Sequence, residues 1–280
     1  MIRRIITTLS ILVLSVTAGY GQAYEPMDLA KKIFARDSLI NPEHFATGEY
    51  AGHPNGQDLN DGTFTKFTLL EQTAQKAVIG MTITDSSGRG IDTYLYFKKD
   101  TTWKMSAFRS LAMTGIIEQM KLGLERMTPQ EIDQVITKSK DNKKDDFSMF
   151  ASREEYDYLL GNARLILDLD ENIIQHFRAN QAAFERIRDL ALQRLENEKP
   201  ENKGGADPAE DLKTDYRKLF ITSVKAGRCD NCADFLIGGM LDNSVGYLFV
   251  KDKKDLPEMD ADNFIVIKEI GNGWYLYKTT

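Results

Sequence analysis

Asn263-Phe-Ile-Val-Ile-Lys-Glu-Ile-Gly-Asn-Gly-Trp-Tyr-Leu-Tyr-Lys-Thr-Thr280 has the pattern of a β-hairpin. Two runs rich in β-branched and aromatic residues flank Gly271-Asn272-Gly273, and Gly and Asn reach positive φ at little steric cost. An isolated hairpin is marginally stable in water, so this one must bury a face against apolar surface from other segments. Amphipathic segments upstream supply that surface, which indicates a fold combining helices and sheet.

The composition is that of a globular protein with an excess of acidic side chains. The 280 residues are 42% hydrophobic and 28% charged, enough for one large or two ordinary domains. The 36 Lys and Arg residues against 42 Asp and Glu residues give a formal net charge of −6. Because this charge repels phosphate at long range, we expect no general nucleic-acid role.

The first 23 residues have the pattern of a cleaved secretory signal peptide. Met1-Ile-Arg-Arg4 is basic, residues 5–18 are apolar apart from Ser and Thr, and small residues follow up to Ala23. The apolar run is shorter than the roughly 20 residues that span a bilayer. We therefore expect a periplasmic or secreted protein, with no stable membrane insertion after the signal is cleaved.

The next part of the chain predicts one helix followed by an antiparallel meander, an α+β domain over residues 24–127. Residues 27–35 are amphipathic, whereas residues 41–62 are rich in Gly, Pro and Asn and indicate a loop. Alternation of apolar and polar residues then predicts four strands, at residues 63–70, 77–84, 91–97 and 103–108.

Helical spacing dominates residues 128–197. Capping boxes at Thr128–Glu131 and Ser152–Glu155 predict two helix starts. The longest helical candidate spans residues 170–196, and its length leaves open a break near Asn180.

A polar segment rich in Pro and Gly, residues 198–208, is typical of a linker before a C-terminal α+β region at residues 209–280. Apolar spacing predicts a helix over residues 212–224, with Gly227 as a left-handed stop, and a strand at residues 246–250. The predicted fold class is therefore α+β: a helix plus antiparallel meander, a helical middle region, and a C-terminal helix plus β-hairpin sheet.

Two resemblances accompany these patterns. Tyr24 to Leu111, a helix followed by long strands that end in Trp103-Lys-Met105, resembles the nuclear transport factor-like cone, in which a helix packs in a bent sheet. The C-terminal half has His176-Phe-Arg-Ala-Asn-Gln-Ala-Ala-Phe184 on a helix and closes with a Gly-Asn-Gly-Trp-Tyr-Leu-Tyr hairpin. It is similar to a family of uncharacterised secreted bacterial proteins that end in the same way, and that similarity implies no chemistry.

The cone resemblance implies a pocket lined by Asp92, Tyr94 and Tyr96. A carboxylate held among aromatic walls would have a raised pKa and could move protons. The alternative is that the two tyrosines pack across strands while Asp92 is solvated.

Cys229 and Cys232 are the only two cysteines and have a C-x-x-C spacing. They could form a structural disulfide, a redox dithiol or half of a metal site. Zinc needs about four ligands, and neither a second Cys pair nor a nearby His is present. A redox-active Cys is expected to open a helix, whereas here a predicted helix precedes the pair. The sequence favours a structural disulfide and leaves redox function open.

Other polar groups give weaker indications. His44 and His53 share a loop with Glu43 and Asp58, which permits a metal or general-base site, although solvated histidines are the alternative. Asp168-Leu-Asp-Glu-Asn172 begins like a calcium loop but lacks the Gly at its sixth position and the acid at its twelfth. The sequence has neither a phosphate-binding Gly-rich loop nor a Gly-x-Ser-x-Gly elbow, and we predict no cofactor or metal.

An export signal without a catalytic constellation favours a non-catalytic module of the cell envelope that binds a protein or a small-molecule ligand. A thiol-disulfide oxidoreductase that uses Cys229 and Cys232 is the first alternative. A cone-pocket enzyme or small-ligand carrier that uses Asp92 is the second.

Overall fold

The computed structural model describes residues 24–141, 149–197, 210–226 and 232–280. The predicted signal peptide, the predicted linker, Gly227 and Cys229 lie outside these ranges. The described chain contains seven α-helices and two antiparallel sheets, of four and five strands, so the predicted α+β class is confirmed. None of the helices in these ranges is long and apolar enough to cross a membrane.

The first sheet is the predicted antiparallel meander, with strand order β1-β2-β3-β4. Helix α1 precedes it, and all five elements agree with the sequence pattern to within a few residues: α1 Pro26–Ile33, β1 Phe64–Gln72, β2 Lys76–Thr84, β3 Gly90–Lys99 and β4 Trp103–Ser110. Leu29 and Ile33 of α1 pack with Ile79, Leu95 and Phe97 on one face of this sheet.

Five helices follow the meander: α2 Thr114–Arg126, α3 Pro129–Asp141, α4 Arg153–Ile166, α5 Asp170–Ala179 and α6 Gln181–Asn197. The Thr128–Glu131 capping box forms, since the Glu131 carboxylate accepts from the Thr128 amide at 2.7 Å and Thr128 Oγ1 accepts from the Glu131 amide at 3.3 Å. At the second predicted box, Ser152 Oγ accepts from the Glu155 amide at 3.2 Å, but the Glu155 carboxylate accepts from the Ala151 amide, so only half of that box forms. The break near Asn180 is confirmed, because Asn180 ends α5 in a non-helical conformation.

The second sheet has the order β5-β6-β7-β9-β8. Its elements are α7 Lys213–Arg217, β5 Ser223–Ala226, β6 Cys232–Met240, β7 Asn243–Val250, β8 Phe264–Gly271 and β9 Trp274–Thr279. The hairpin of β8 and β9 is confirmed, and its turn residues Gly271, Asn272 and Gly273 have φ of 115°, 54° and 80°.

Two details of this region differ from the prediction. The helix expected to reach residue 224 ends at Arg217, because Phe220 takes a left-handed φ of 59° and Val224 joins β5, opposite Phe235. Strand β6 was not predicted. A bulge near Gly238 shifts its pairing with β7, which removes the simple alternation of apolar residues.

The sheets stack face to face between α1 and the other helices. Tyr94 and Tyr96 of β3 pack with Ile265 and Tyr275 of the second sheet. The opposite face of the second sheet buries Trp274 against helices α4, α5 and α6. The domain boundary at residue 127 stays a prediction, although a cluster of Leu124, Ile132, Phe150 and Tyr156 joins α2 to α3 and α4 across it.

Candidate functional site

A cluster of buried charged side chains lies where the two sheets meet the start of α5. The carboxylate of Asp170 is 2.8 Å from Nζ of Lys278 and 3.6 Å from Nζ of Lys268. The hydroxyl of Tyr94 donates to it at 3.0 Å. Only 4% of the Lys278 side chain is exposed. The cluster therefore draws its members from β3, α5, β8 and β9.

Asp92 connects this cluster to the first sheet by capping α5. Leu169 precedes the helix and has no polar side chain, so it cannot satisfy the first amide groups. Instead, the Asp170 amide donates to Oδ2 of Asp92 at 2.6 Å, and the Thr82 hydroxyl donates to Oδ1. A carboxylate is favourable there, because the amino end of a helix carries partial positive charge.

The electrostatics of the cluster fix its protonation states. Burial alone would raise the pKa of Asp170, but Lys278, Lys268 and the Tyr94 hydrogen bond outweigh burial and hold that pKa below its ordinary value. The pKa of Tyr94 is raised well above its ordinary value by burial and by the neighbouring carboxylates. At neutral pH Asp170 is therefore ionised and Tyr94 is protonated.

Above this cluster is an open cleft of about 550 Å³. Its walls are the loop between β2 and β3, one side of α2 and the segment that joins α4 to α5. The charged side chains around it are four cations and four carboxylates: Arg89, Lys121, Arg164, Lys278, Asp92, Glu118, Glu125 and Asp168. Lys278 and Asp92 belong both to the cleft lining and to the buried network.

The structure brings the three predicted pocket residues onto one face of β3, but not onto the face that α1 covers. Tyr94 and Tyr96 pack between the two sheets, and the Tyr96 hydroxyl donates to the Ile265 carbonyl at 3.0 Å. Asp92 is buried rather than solvated, and it lines the cleft.

Sequence reasoning missed Asp170, Lys268 and Lys278. Asp170 lies within the acidic run that fails as a calcium loop, and its helical start was the only signal. Lys278 is a charged residue within the apolar pattern of β9, at a buried position. This break in the pattern is the one sequence feature that could have identified Lys278 as a site residue.

The cysteine pair is described only in part. Cys232 is the first residue of β6 and is 2% exposed, whereas Cys229 lies outside the described residues. The structural disulfide and the redox alternative both stay predictions.

The loop histidines form a separate, exposed group. Nδ1 of His53 is 2.8 Å from Oδ2 of Asp58. The hydrogen bonds from His53 and from the Asn55 amide lower the pKa of Asp58. His53 and Glu43 line a second cavity of about 270 Å³, while His44 lies on the neighbouring 3₁₀ turn. Among the described side chains, no group of three or more His, Cys, Asp or Glu is placed to hold a metal ion.

His176 of α5 provides a test of pH dependence. Its Nε2 donates to the Leu219 carbonyl at 3.0 Å, and its ring stacks on Phe220. Burial lowers the pKa of His176 below its ordinary value, against the opposing effect of that hydrogen bond. As pH falls through about 6.5, the unfolded chain gains this proton before the folded chain does, so the free energy of unfolding decreases.

Urea unfolding between about pH 7.5 and about pH 5 measures this effect. We expect the wild type to lose more stability on acidification than the His176→Gln variant, which keeps an N–H donor but does not titrate. Equal losses in the two proteins would contradict the assignment.

No protein-family model, curated protein or solved structure matches this chain. The resemblance of its halves to the nuclear transport factor-like cone and to secreted bacterial proteins therefore stays a prediction, and function must be argued from the site.

Proposed function

We propose that the protein is an exported, non-catalytic binding module of the cell envelope, and that a small polar molecule binds in the cleft. This proposal rests on the volume and the charged lining of the cleft. Its volume of about 550 Å³ lies within the range of about 300–1,000 Å³ usual for small-molecule sites. Two of its charged side chains, Asp92 and Lys278, are held by buried partners, so they present fixed groups to a ligand at little entropic cost.

The protonation states support binding rather than catalysis. A general acid or base works best when its pKa lies near the operating pH. The pKa of Asp170 lies below its ordinary value and that of Tyr94 lies well above, so neither group exchanges protons near neutral pH. Both oxygens of Asp92 already accept hydrogen bonds from the protein, so Asp92 is held in place as the cap of α5.

A cleft-filling substitution tests this proposal. Glu118 lines the cleft from α2, whereas Gln119 is the next residue of the same helix and does not. Glu118→Trp should place an indole in the mouth of the cleft, and Gln119→Trp is the matched control.

We expect a library of small polar molecules to contain ligands that raise the melting temperature of the wild type. A ligand at about 100 times its Kd adds about 2.7 kcal/mol to the free energy of unfolding. Gln119→Trp should retain this gain and Glu118→Trp should lose it. The proposal is wrong if no compound stabilises the wild type, or if Glu118→Trp responds as fully as the control.

A further inference from the structure

We propose that the ligand of the cleft is a short peptide with free termini, of di- or tripeptide size. This inference rests on the proposed function, because it names the chemical class that the same cleft binds. The inference rests on three features of the cleft: the charged side chains that lack a partner, the start of α2 and the apolar lining residues.

Two charged side chains of the cleft, one carboxylate and one ammonium group, have neither an ion-pair nor a hydrogen-bond partner among the described residues. Arg164 and Glu125, which also line the cleft, form an ion pair at 3.0 Å, and Asp168 accepts from Asn172 at 2.6 Å. The side chains of Glu118 and Lys121 make neither a hydrogen bond nor an ion pair with any other described residue, although both line the cleft. A ligand with a single charge would satisfy only one of them, whereas a zwitterion satisfies both.

The base of the cleft adds a hydrogen-bond donor for the same ligand. An ammonium group has three N–H donors, and Asp170 is the one acceptor within hydrogen-bond distance of Lys278 in the described chain. The Lys278 ammonium therefore has N–H groups at the base of the cleft that can donate hydrogen bonds to the carbonyl groups of a peptide.

Helix α2 begins at the cleft and favours the carboxylate end of the ligand. Its N-cap residue, Met113, has a left-handed φ of 57° and provides no side-chain hydrogen bond. Thr114, the first residue of the helix, lines the cleft. The first amide groups of α2 thus lack a side-chain acceptor, and their partial positive charge favours a carboxylate at this end of the cleft.

Apolar side chains next to these charges fit the side chains of a peptide. Ile91, which lines the cleft, is 42% exposed. Leu167 and Leu169, which also line the cleft, are half-buried. A free peptide provides both charged termini and apolar side chains, whereas a sugar lacks the charges and a simple organic anion lacks the amine.

Isothermal titration calorimetry with trialanine tests the inference. The comparison ligands are trialanine with an acetylated amine, trialanine with an amidated carboxylate, and the peptide with both ends blocked. We expect trialanine to bind saturably, and each blocked end to weaken binding about tenfold or more, because a built polar group then loses its partner. Equal binding of the fully blocked peptide would overturn the inference.

Variants identify which end each side chain contacts. Lys121→Gln should remove the preference for a free carboxylate, and Glu118→Gln should remove the preference for a free amine. Arg126→Gln is the matched control, since Arg126 lies on the same helix outside the lining. If trialanine does not bind while another library compound occupies the cleft, the inference is wrong and the proposed function stands. If no compound binds, both are wrong.

Discussion

Replacing Asp170 with Ala is expected to lower the free energy of unfolding by about 3–5 kcal/mol, because it leaves the ammonium group of Lys278 buried without a carboxylate partner. The same change removes the acceptor of the buried Tyr94 hydroxyl. Equilibrium unfolding in urea measures the loss.

The double variant Asp170→Ala/Lys278→Met is the control for this prediction. It removes both charges, and replacing a buried ion pair with apolar side chains is often close to neutral, so we expect it to be more stable than Asp170→Ala alone. If the double variant is as unstable as the single one, the cost comes from lost packing and not from the unpaired ammonium.

The two tryptophans report on different sheets, so they show whether the buried cluster around Asp170 stabilises both. Trp103 is buried in the first sheet with α1, and Trp274 is buried in the second sheet against the helices. Tyr94 and Asp92 of the first sheet form hydrogen bonds with Asp170. Lys268 and Lys278 of the second sheet form ion pairs with the same residue. In Asp170→Ala, the fluorescence transitions of both tryptophans should therefore move to lower urea. A shift of only one would contradict the role assigned to Asp170.

Replacing Trp274 with Ala should cost about 3–5 kcal/mol of stability. Its ring lies 5.0 Å from the rings of both Phe177 and Phe235, and 5.4 Å from that of Phe249. Truncation removes the centre of this aromatic cluster and leaves a cavity between the second sheet and the helices. Urea unfolding followed by far-ultraviolet circular dichroism measures the change.

Trp274→Phe is the matched variant. The indole Nε1 of Trp274 is buried and has no hydrogen-bond partner in the described structure, so Phe keeps a ring in the cluster and loses no hydrogen bond. We expect it to cost less than half as much as Trp274→Ala. Equal losses for Phe and Ala would contradict the assignment of this stability to ring packing.

Local patterns predicted much of the fold because local chemistry determines those elements. Alternating residues and turn residues placed β1 to β4, the hairpin of β8 and β9 followed from Gly271-Asn272-Gly273, and the capping residues fixed the starts of α3 and α4. Strand β6 was missed because a bulge near Gly238 shifts its pairing with β7. The end of α7 was missed because Phe220, whose ring stacks on His176, has a left-handed conformation that its residue type does not predict.

The site was only partly predictable because its members are distant in sequence. Asp92 and Tyr94 were candidates from the resemblance to the cone fold, but their partner Asp170 follows 78 residues after Asp92. Asp170 also shows no distinctive motif, since it is the first residue of a helix whose cap comes from another element. Burial of Lys278 depends on how the two sheets meet, which no local pattern determines.

The proposal that this cleft is the ligand site is tested most directly by a backbone amide chemical-shift map, recorded while the strongest ligand from the library is titrated. The largest saturable shifts are expected at residues 88–92, 114–125 and 164–169, which surround the cleft. Shifts centred instead on residues 33–57, around the second cavity beside His53, would contradict the proposal.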